Sequence, residues 1–466
     1  MPELRLADLV EATGGHLVRG NPETIVGSYV IDTRRLDSGG CFFALSTGRK
    51  DGHLFLNEAA KFGAAAAVVE RAPADDESAP EGIVLVHDTL EALTNCGEWI
   101  RGHYEDVRWL ALTGSNGKTT TKELLAAALS NEQNVHRTPG NFNNHLGVPL
   151  TLLSMPADTD TAVLELAMSG PGEIAHLMQM TRPDVGMVTN VRAAHLNSFQ
   201  SLDDIAAAKG ELYSCLDDSS IAIVNLDDVH CRVQATRHLG PRITFGAHPD
   251  ADVRIGDVQN QLTPGVAFSV HRGDWSRNVQ LRLVGAHGAF DAVAALAAAL
   301  AVGEDLDDAC ERMERVEAGP GRGQLHRLRA EMLLVDDSYN SSPSALASML
   351  DLIRVNEVPG KKILVMGDML ELGPMEDAMH REAGKRIAAA DIDVLVAVGP
   401  LSRHSAETAR RFGVEQIHHF NDSRKAAAAI PEMLGSGDLV VVKGSRGLRM
   451  ETIVRTIQEQ FEGSGA

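Results

Sequence analysis

The stretch from Val107 to Leu129 limits the possible folds more than any other part of the chain. A strand-like run, Val107–Leu112, enters the turn Thr113-Gly114-Ser115-Asn116-Gly117-Lys118-Thr119-Thr120, and a helical pattern then covers Lys118–Leu129. A strand that passes through a tight turn into a helix sends the chain back across a sheet, so the next strand lies parallel. The pattern repeats. Apolar runs at Ala162–Leu166, Val185–Thr189 and Ile221–Val224 alternate with helical patterns at Glu173–Met180, Leu202–Leu216 and Phe290–Leu300. This predicts a mostly parallel sheet with crossover helices. From about Asp252 to Leu283 the runs VRIGDV, VAFSV and VQLRLV alternate as antiparallel strands do, which predicts a small added sheet.

At about 150 residues per domain, 466 residues accommodate roughly three. Residues 1–86 mix short strand-like runs (Tyr29–Ile31, Cys41–Leu45, Ala67–Val69, Ile83–Val86) with an Ala-rich helix near Leu56–Phe62 and a polar loop over Ala72–Gly82. Residues 87–318 hold the parallel-sheet pattern. Residues 319–466 open on the flexible joint Gly319–Gly323 and carry four further strand-like runs, Met332–Val335, Ile363–Met366, Val394–Val398 and Leu439–Val442, separated by helices. The expected fold is α/β throughout. It comprises a small N-terminal domain, a central P-loop-type domain with a mostly parallel sheet, and a C-terminal Rossmann-like domain.

Charge narrows the partners. Lys and Arg number 43 against 64 Asp and Glu, a formal net charge of −21, which repels a nucleic-acid backbone and an anionic membrane surface. A single nucleotide is not excluded, because a helix N-terminus and one or two cations make a phosphate site locally. The five cysteines are widely spaced without a CxxC pair, so neither a disulfide framework nor a zinc site is expected. The N-terminus lacks the basic and apolar regions of a signal peptide, and the Ala-rich run near Phe290–Val302 is too short to span a bilayer. We expect a cytoplasmic monomer with neither nucleic-acid binding nor membrane insertion.

Gly114 and Gly117 let the backbone wrap a phosphate, with Ser115 and Asn116 between them. Lys118 adds positive charge, and the Thr119 and Thr120 hydroxyls follow at the start of the helix, Thr119 suited to Mg²⁺. The strict P-loop pattern is not met, because Leu112 occupies the place of its first glycine. Three more residues stand where ligands of open α/β sheets bind. Glu165, at a strand end, is either a Mg²⁺ ligand or a solvated carboxylate. On residue type alone His195 reads as a loop histidine. Lys209 shares the apolar helix face of Ile205 and Leu212 in a chain with 10 lysines and 33 arginines. It either snorkels to water or is held neutral enough to react.

Together these motifs resemble the Mur ligases, ATP-dependent amide-forming enzymes of peptidoglycan assembly. Thr113–Thr120 resembles the family's ATP loop, and Gly140-Asn141-Phe142-Asn143-Asn144 with Gly147-Val148-Pro149 resembles its GN-x-NN…GxP segment. The resemblance implies Mg²⁺ ligation by Glu165 and Thr119, a second Mg²⁺ at His195, and carbamylation of Lys209 as an additional ligand. Arg322 is similar to the arginine that reaches the ATP phosphates. Asp336-Asp337-Ser338-Tyr339-Asn340 with Pro343, the run Gly367–Gly373, and Lys443-Gly444-Ser445-Arg446 followed by Met450-Glu451 resemble the D-alanyl-D-alanine-adding branch. Among these, the resemblance implies nucleotide contacts for Asp337 and Asn340, and substrate contacts for Lys443, Ser445, Arg446, Asn141, Asn143 and Asn144. The N-terminal Asp32-Thr33-Arg34 and Asp51-Gly52-His53 are similar to a UDP-sugar site. One segment departs from the family. Where an adenine-contacting G-x-HN-x-x-N is usual, this chain has His287 but Gly288 and Asp291 in place of both asparagines. Asp291 offers only acceptors when ionised, one of which suits the adenine amino group.

The implied reaction activates the terminal carboxylate of UDP-N-acetylmuramoyl-tripeptide with ATP, with two Mg²⁺ ions neutralising charge, and joins it to D-Ala-D-Ala. The alternatives are a relative adding a single amino acid, or glutamate to folate, and a nucleotide-binding regulator without catalysis. A P-loop kinase or GTPase leaves the third α/β region and the inward lysine unexplained.

Overall fold

The computed structural model describes residues 4–48, 50–74, 77–131, 134–193 and 199–461. Three main sheets organise them. The first runs His16–Arg19, Gly82–Leu85, Ala66–Val69, Cys41–Phe43, Tyr29–Val30, antiparallel in the first pair and parallel in the rest.

The central sheet has nine strands, in the order Val135–Arg137, Thr161–Glu165, Arg108–Thr113, Val185–Val188, Ile221–Asn225, Arg242–Gly246, Val253–Asn260, Val266–Arg272, Trp275–Gln280. Pairing is parallel as far as Val253–Asn260 and antiparallel in the last two pairs. The antiparallel addition is therefore real. Its last strand starts earlier than the VQLRLV run implies, because the hairpin turn falls at Gly273, which has a left-handed φ of +56°.

The third sheet has six strands, Gln324–Arg327, Leu333–Asp337, Leu439–Lys443, Lys362–Gly367, Val394–Val398, Gln416–Phe420, parallel except for the first pair. The α/β class and the parallel central sheet stand as the alternation predicted. Among the strands absent from the sequence reading are Val135–Arg137, Arg242–Gly246 and Gln416–Phe420, each paired in parallel with a neighbour. Polar residues interrupt each, and the backbone of a neighbouring parallel strand recruits them.

One face of the first sheet packs a core of its own around Phe42, Leu56, Val69 and Ile83, and the other face is cored jointly with the central lobe. There Leu6, Leu9, Phe43 and Val68 share one apolar cluster with Leu93, Cys96 and Ile100 and with Trp109, Ala111 and Leu164 of the central lobe. The connecting helix, Thr89–His103, buries that face on both lobes. Asp88 starts it, its Oδ1 accepting from the Leu90 and Glu91 amides at 2.8 and 2.9 Å.

Strand Arg108–Thr113 fixes the position of the site. Its parallel neighbours lie on opposite sides, Glu165 pairing with Leu112 and Val188 with Thr113. A crevice opens beyond such a switch point, at the carboxyl ends of the strands. No described helix is long and apolar enough to cross a membrane.

Candidate active site

The turn after Thr113 is tight enough to demand its glycines. Gly114 has φ +153°, and a Cβ there would lie 1.9 Å from Thr189 Oγ1; Gly117 has φ +79°, with Asp291 Oδ1 only 2.1 Å from the corresponding position. The helix Lys118–Leu129 follows without a side-chain N-cap, so its first amides remain able to face an anion. The turn is fastened from behind. Ser115 N donates to Asn190 O at 2.9 Å and Asn116 N to Asn190 Oδ1 at 3.1 Å, while Asn116 O accepts from Thr189 Oγ1 at 2.7 Å and Asn190 Nδ2 at 3.0 Å.

Two lysines converge on one carbonyl of this turn. Lys118 Nζ donates to Gly114 O at 2.8 Å, and Lys209 Nζ donates to the same oxygen at 3.0 Å. Lys209 lies 2% exposed between the fully buried Ile205 and Leu212, so it does point inward, as the helical spacing predicts. Burial, then repulsion from Lys118, lowers its pKa well below that of an ordinary lysine. Burial also lowers that of Lys118, against the attraction of Glu165.

Glu165 is 2% exposed at its strand end. Its Oε2 accepts from Thr119 Oγ1 at 2.8 Å and its Oε1 from Asn143 Nδ2 at 2.8 Å, and its amide donates to Thr138 Oγ1 at 2.9 Å. Thr119 and Glu165 thus present hard oxygens side by side beneath the turn, a donor set that suits Mg²⁺. Lys209 as a free amine is not such a donor; carbamylation would make it one. His195 lies outside the described residues. Among the described residues no three His, Cys, Asp or Glu side chains cluster as a metal site, so an ion here would rely on substrate and water oxygens as well.

Lys122 carried no signal in the sequence beyond its place one turn after Lys118. It is fully buried, donates to Thr138 O at 2.7 Å, pairs with Glu123 at 3.0 Å and stands 3.9 Å from Glu165 Oε2. It braces the floor beneath Glu165.

Beside the turn lies a cavity of about 710 Å³, walled by both lobes: Thr119, Thr120, Lys122, Asn141, His287 and Gly288 from the central one, Arg322 and Tyr339 from the third. Arg322 lies over the Tyr339 ring at 4.0 Å, and Arg446 approaches the same ring at 5.6 Å. Asp291 is not in the cavity wall. It is buried against Gly117, its Oδ2 has no hydrogen-bond partner, and burial raises its carboxyl to about 8. An adenine contact for Asp291 is therefore corrected: the helix turns this side chain towards the back of the phosphate turn, whereas Gly288 faces the cavity.

Several other expected contacts prove internal. Lys443 Nζ donates to Asp337 Oδ2 at 2.5 Å and Asn340 O at 3.0 Å, so these three hold one another. Ser445 Oγ accepts from the Leu370 amide at 2.9 Å, and Asn144 Oδ1 from those of Leu146 and Gly147 at 3.2 and 2.9 Å. In the first lobe His53 Nδ1 bonds Asp51 Oδ1 at 2.7 Å and its Nε2 accepts from the Glu70 amide at 2.9 Å, which leaves the buried ring no free nitrogen. Arg71 holds the other Asp51 oxygen at 2.5 Å. Gly52 is pressed against the Ala44–Leu45 backbone and Thr33 is buried. Asp32 pairs with Arg34 at 2.6 Å, keeping its carboxyl down at about 2. Arg34 and Arg446 stay mostly exposed, at 82% and 65% of their side chains.

The chain is similar to known proteins over nearly its whole length. Residues 112–299 match the Mur ligase middle domain and residues 321–446 the Mur ligase, glutamate ligase domain. The UDP-N-acetylmuramoyl-tripeptide–D-alanyl-D-alanine ligase of Bacillus subtilis is 33% identical over 461 residues, covering 97% of each chain. A crystal structure of MurF from Acinetobacter baumannii superposes with a TM-score of 0.88 at 30% identity, covering 98% of this chain and 99% of that one. The MurF ligase of Thermotoga maritima, solved in complex with ADP, gives 0.80 at 29% identity, over 93% and 97% of the two chains.

Proposed function

This chain belongs to the Mur ligase family, as an ATP-dependent ligase of peptidoglycan synthesis, and we propose that it joins D-alanyl-D-alanine to UDP-N-acetylmuramoyl-tripeptide in the cytoplasm. The observation that carries the reading is the convergence of Lys118 and Lys209 on Gly114 O next to the Thr119–Glu165 pair. A phosphate turn alone serves many enzymes. A buried second lysine beside it serves one that must bring two anions together.

A carboxylate and an amine do not condense in water unaided. Here a carboxylate oxygen of the tripeptide attacks the γ-phosphorus of ATP, ADP leaves, and an acyl phosphate forms. The amine of D-alanyl-D-alanine then attacks the acyl carbon, phosphate leaves, and the nitrogen loses a proton. The first step is mainly positioning and charge neutralisation. Lys118 and the free amides of its helix hold the terminal phosphates, and Arg322 reaches them from the third lobe. Thr119 and Glu165 are the residues that would hold Mg²⁺, which when bound offsets the phosphate charge. The low pKa of Lys209 keeps a share of its amine neutral. That amine can add to CO₂, forming an N–C bond and releasing a proton, and the resulting carbamate would support a second Mg²⁺. The seam between the lobes keeps water from the acyl phosphate.

The test is phosphate release and product mass with ATP, the UDP-linked tripeptide and either D-alanyl-D-alanine or single amino acids. Turnover with the dipeptide is expected. Turnover only with a single amino acid or a folate would replace the reading.

A further inference from the structure

Asn116 sits in the middle of the phosphate turn, yet its side chain points away from it. Its Nδ2 donates to Ser344 Oγ of the third lobe at 2.9 Å, and its Oδ1 accepts a longer bond from Ser342 Oγ at 3.4 Å. These partners lie 228 and 226 residues further along the chain. Both ends of the contact are stiff. On one side the Asn116 backbone is pinned by Thr189 and Asn190. On the other, Ser344 lies in the first turn of helix Pro343–Val355, which Ser342 caps and whose Leu346, Met349, Leu350, Leu352 and Ile353 are buried in the third lobe. The same lobe brings Arg322 and Tyr339 to the cavity wall.

We propose that Asn116 and Ser344 form a latch through which the phosphate turn holds the third lobe shut over the acyl phosphate. Resting on the ligase reading above, this makes Ser344 a positioning residue. A turn ordered around phosphates offers its amide at a fixed place, and a helix N-terminus meets it there. While the latch holds, water is excluded and the activated acid waits for the amine. Without it the lobe opens before the amine attacks, water takes the amine's place at the acyl phosphate, and phosphate is released with no amide formed.

Ser344→Ala removes the contact and leaves the Ser342 cap in place; Ser344→Thr keeps a hydroxyl. In Ser344→Ala we expect the dissociation constant of a non-hydrolysable ATP analogue to stay within about twofold. Ligation kcat should fall about fivefold to tenfold, the scale of one neutral hydrogen bond. Phosphate released per amide formed should rise above one, and Ser344→Thr should restore most of both. Unchanged kcat with a one-to-one ratio would overturn the latch. So would a loss of analogue affinity as large as the loss of kcat, which would make Ser344 part of the nucleotide pocket. If the parent fails to ligate the dipeptide, the functional reading falls, and small-angle scattering still decides the latch. A larger radius of gyration in Ser344→Ala than in the parent supports it; equal radii in the two, with and without the analogue, overturn it.

Discussion

At the scale of single residues, burial sets the chemistry. Asp291 is buried behind the glycine turn, and that burial holds its carboxyl at about 8. An unfolded aspartate titrates near 4. Between those limits the folded protein keeps a proton that the unfolded chain has lost, so this group makes the fold less stable as pH rises. Asp291→Asn should therefore melt higher than the parent at pH 8, by the equivalent of a few kcal/mol, with the gap narrowing as pH falls and closing near pH 4. A gap independent of pH would show that Asp291 is ionised throughout. Lys209→Ala should abolish ligation, with partial recovery on adding short-chain carboxylates that occupy the space of a carbamate. No recovery at any carboxylate concentration would leave the amine itself as the working group. Lys209 was visible in advance because helical spacing alone puts it among Ile205 and Leu212. Lys122 was not, because its partners, Thr138 O and Glu165, lie on other segments.

At the scale of elements, the helix Thr89–His103 joins the first lobe to the second through one apolar face. Its N-terminus depends on the Asp88 carboxylate accepting two amides. Asp88→Ala should lower stability by about 1 kcal/mol, measured by urea unfolding, and should loosen the first lobe and the central lobe together. An unchanged midpoint would mean that the buried face alone fixes the helix. The helix Lys118–Leu129 has the bounds its pattern predicts, because a glycine turn and an apolar stripe are local signals. Strand Gln416–Phe420 was missed because it is an edge strand with half-exposed, polar residues, paired on one side only.

At the scale of the whole molecule, the cavity beside the glycine turn belongs to no single lobe. Arg322 comes from the third lobe yet lines it beside Thr119 and His287. Arg322→Ala should weaken ATP-analogue binding about tenfold, in line with loss of a charge-assisted bond, while leaving the melting temperature without nucleotide unchanged, since its main contact is the Tyr339 face. A lower melting temperature with normal binding would make Arg322 a structural brace between lobes. Calorimetric titration and thermal melting separate the two.

The amino-acid sequence by itself determined what short-range pattern can encode. It set the alternation of strands and helices, the glycine turn with Lys118, the strand end carrying Glu165 and the inward face of Lys209, since each depends on spacings within a turn or two of backbone. Only the tertiary structure decided where side chains go when their partners are distant. His53 gives its ring to Asp51 and the Glu70 amide, Lys443 closes on Asp337 across 106 residues, Asp291 backs Gly117, and Asn116 reaches Ser344. A motif names the residue type, but which neighbour satisfies its hydrogen bonds depends on how separate segments pack.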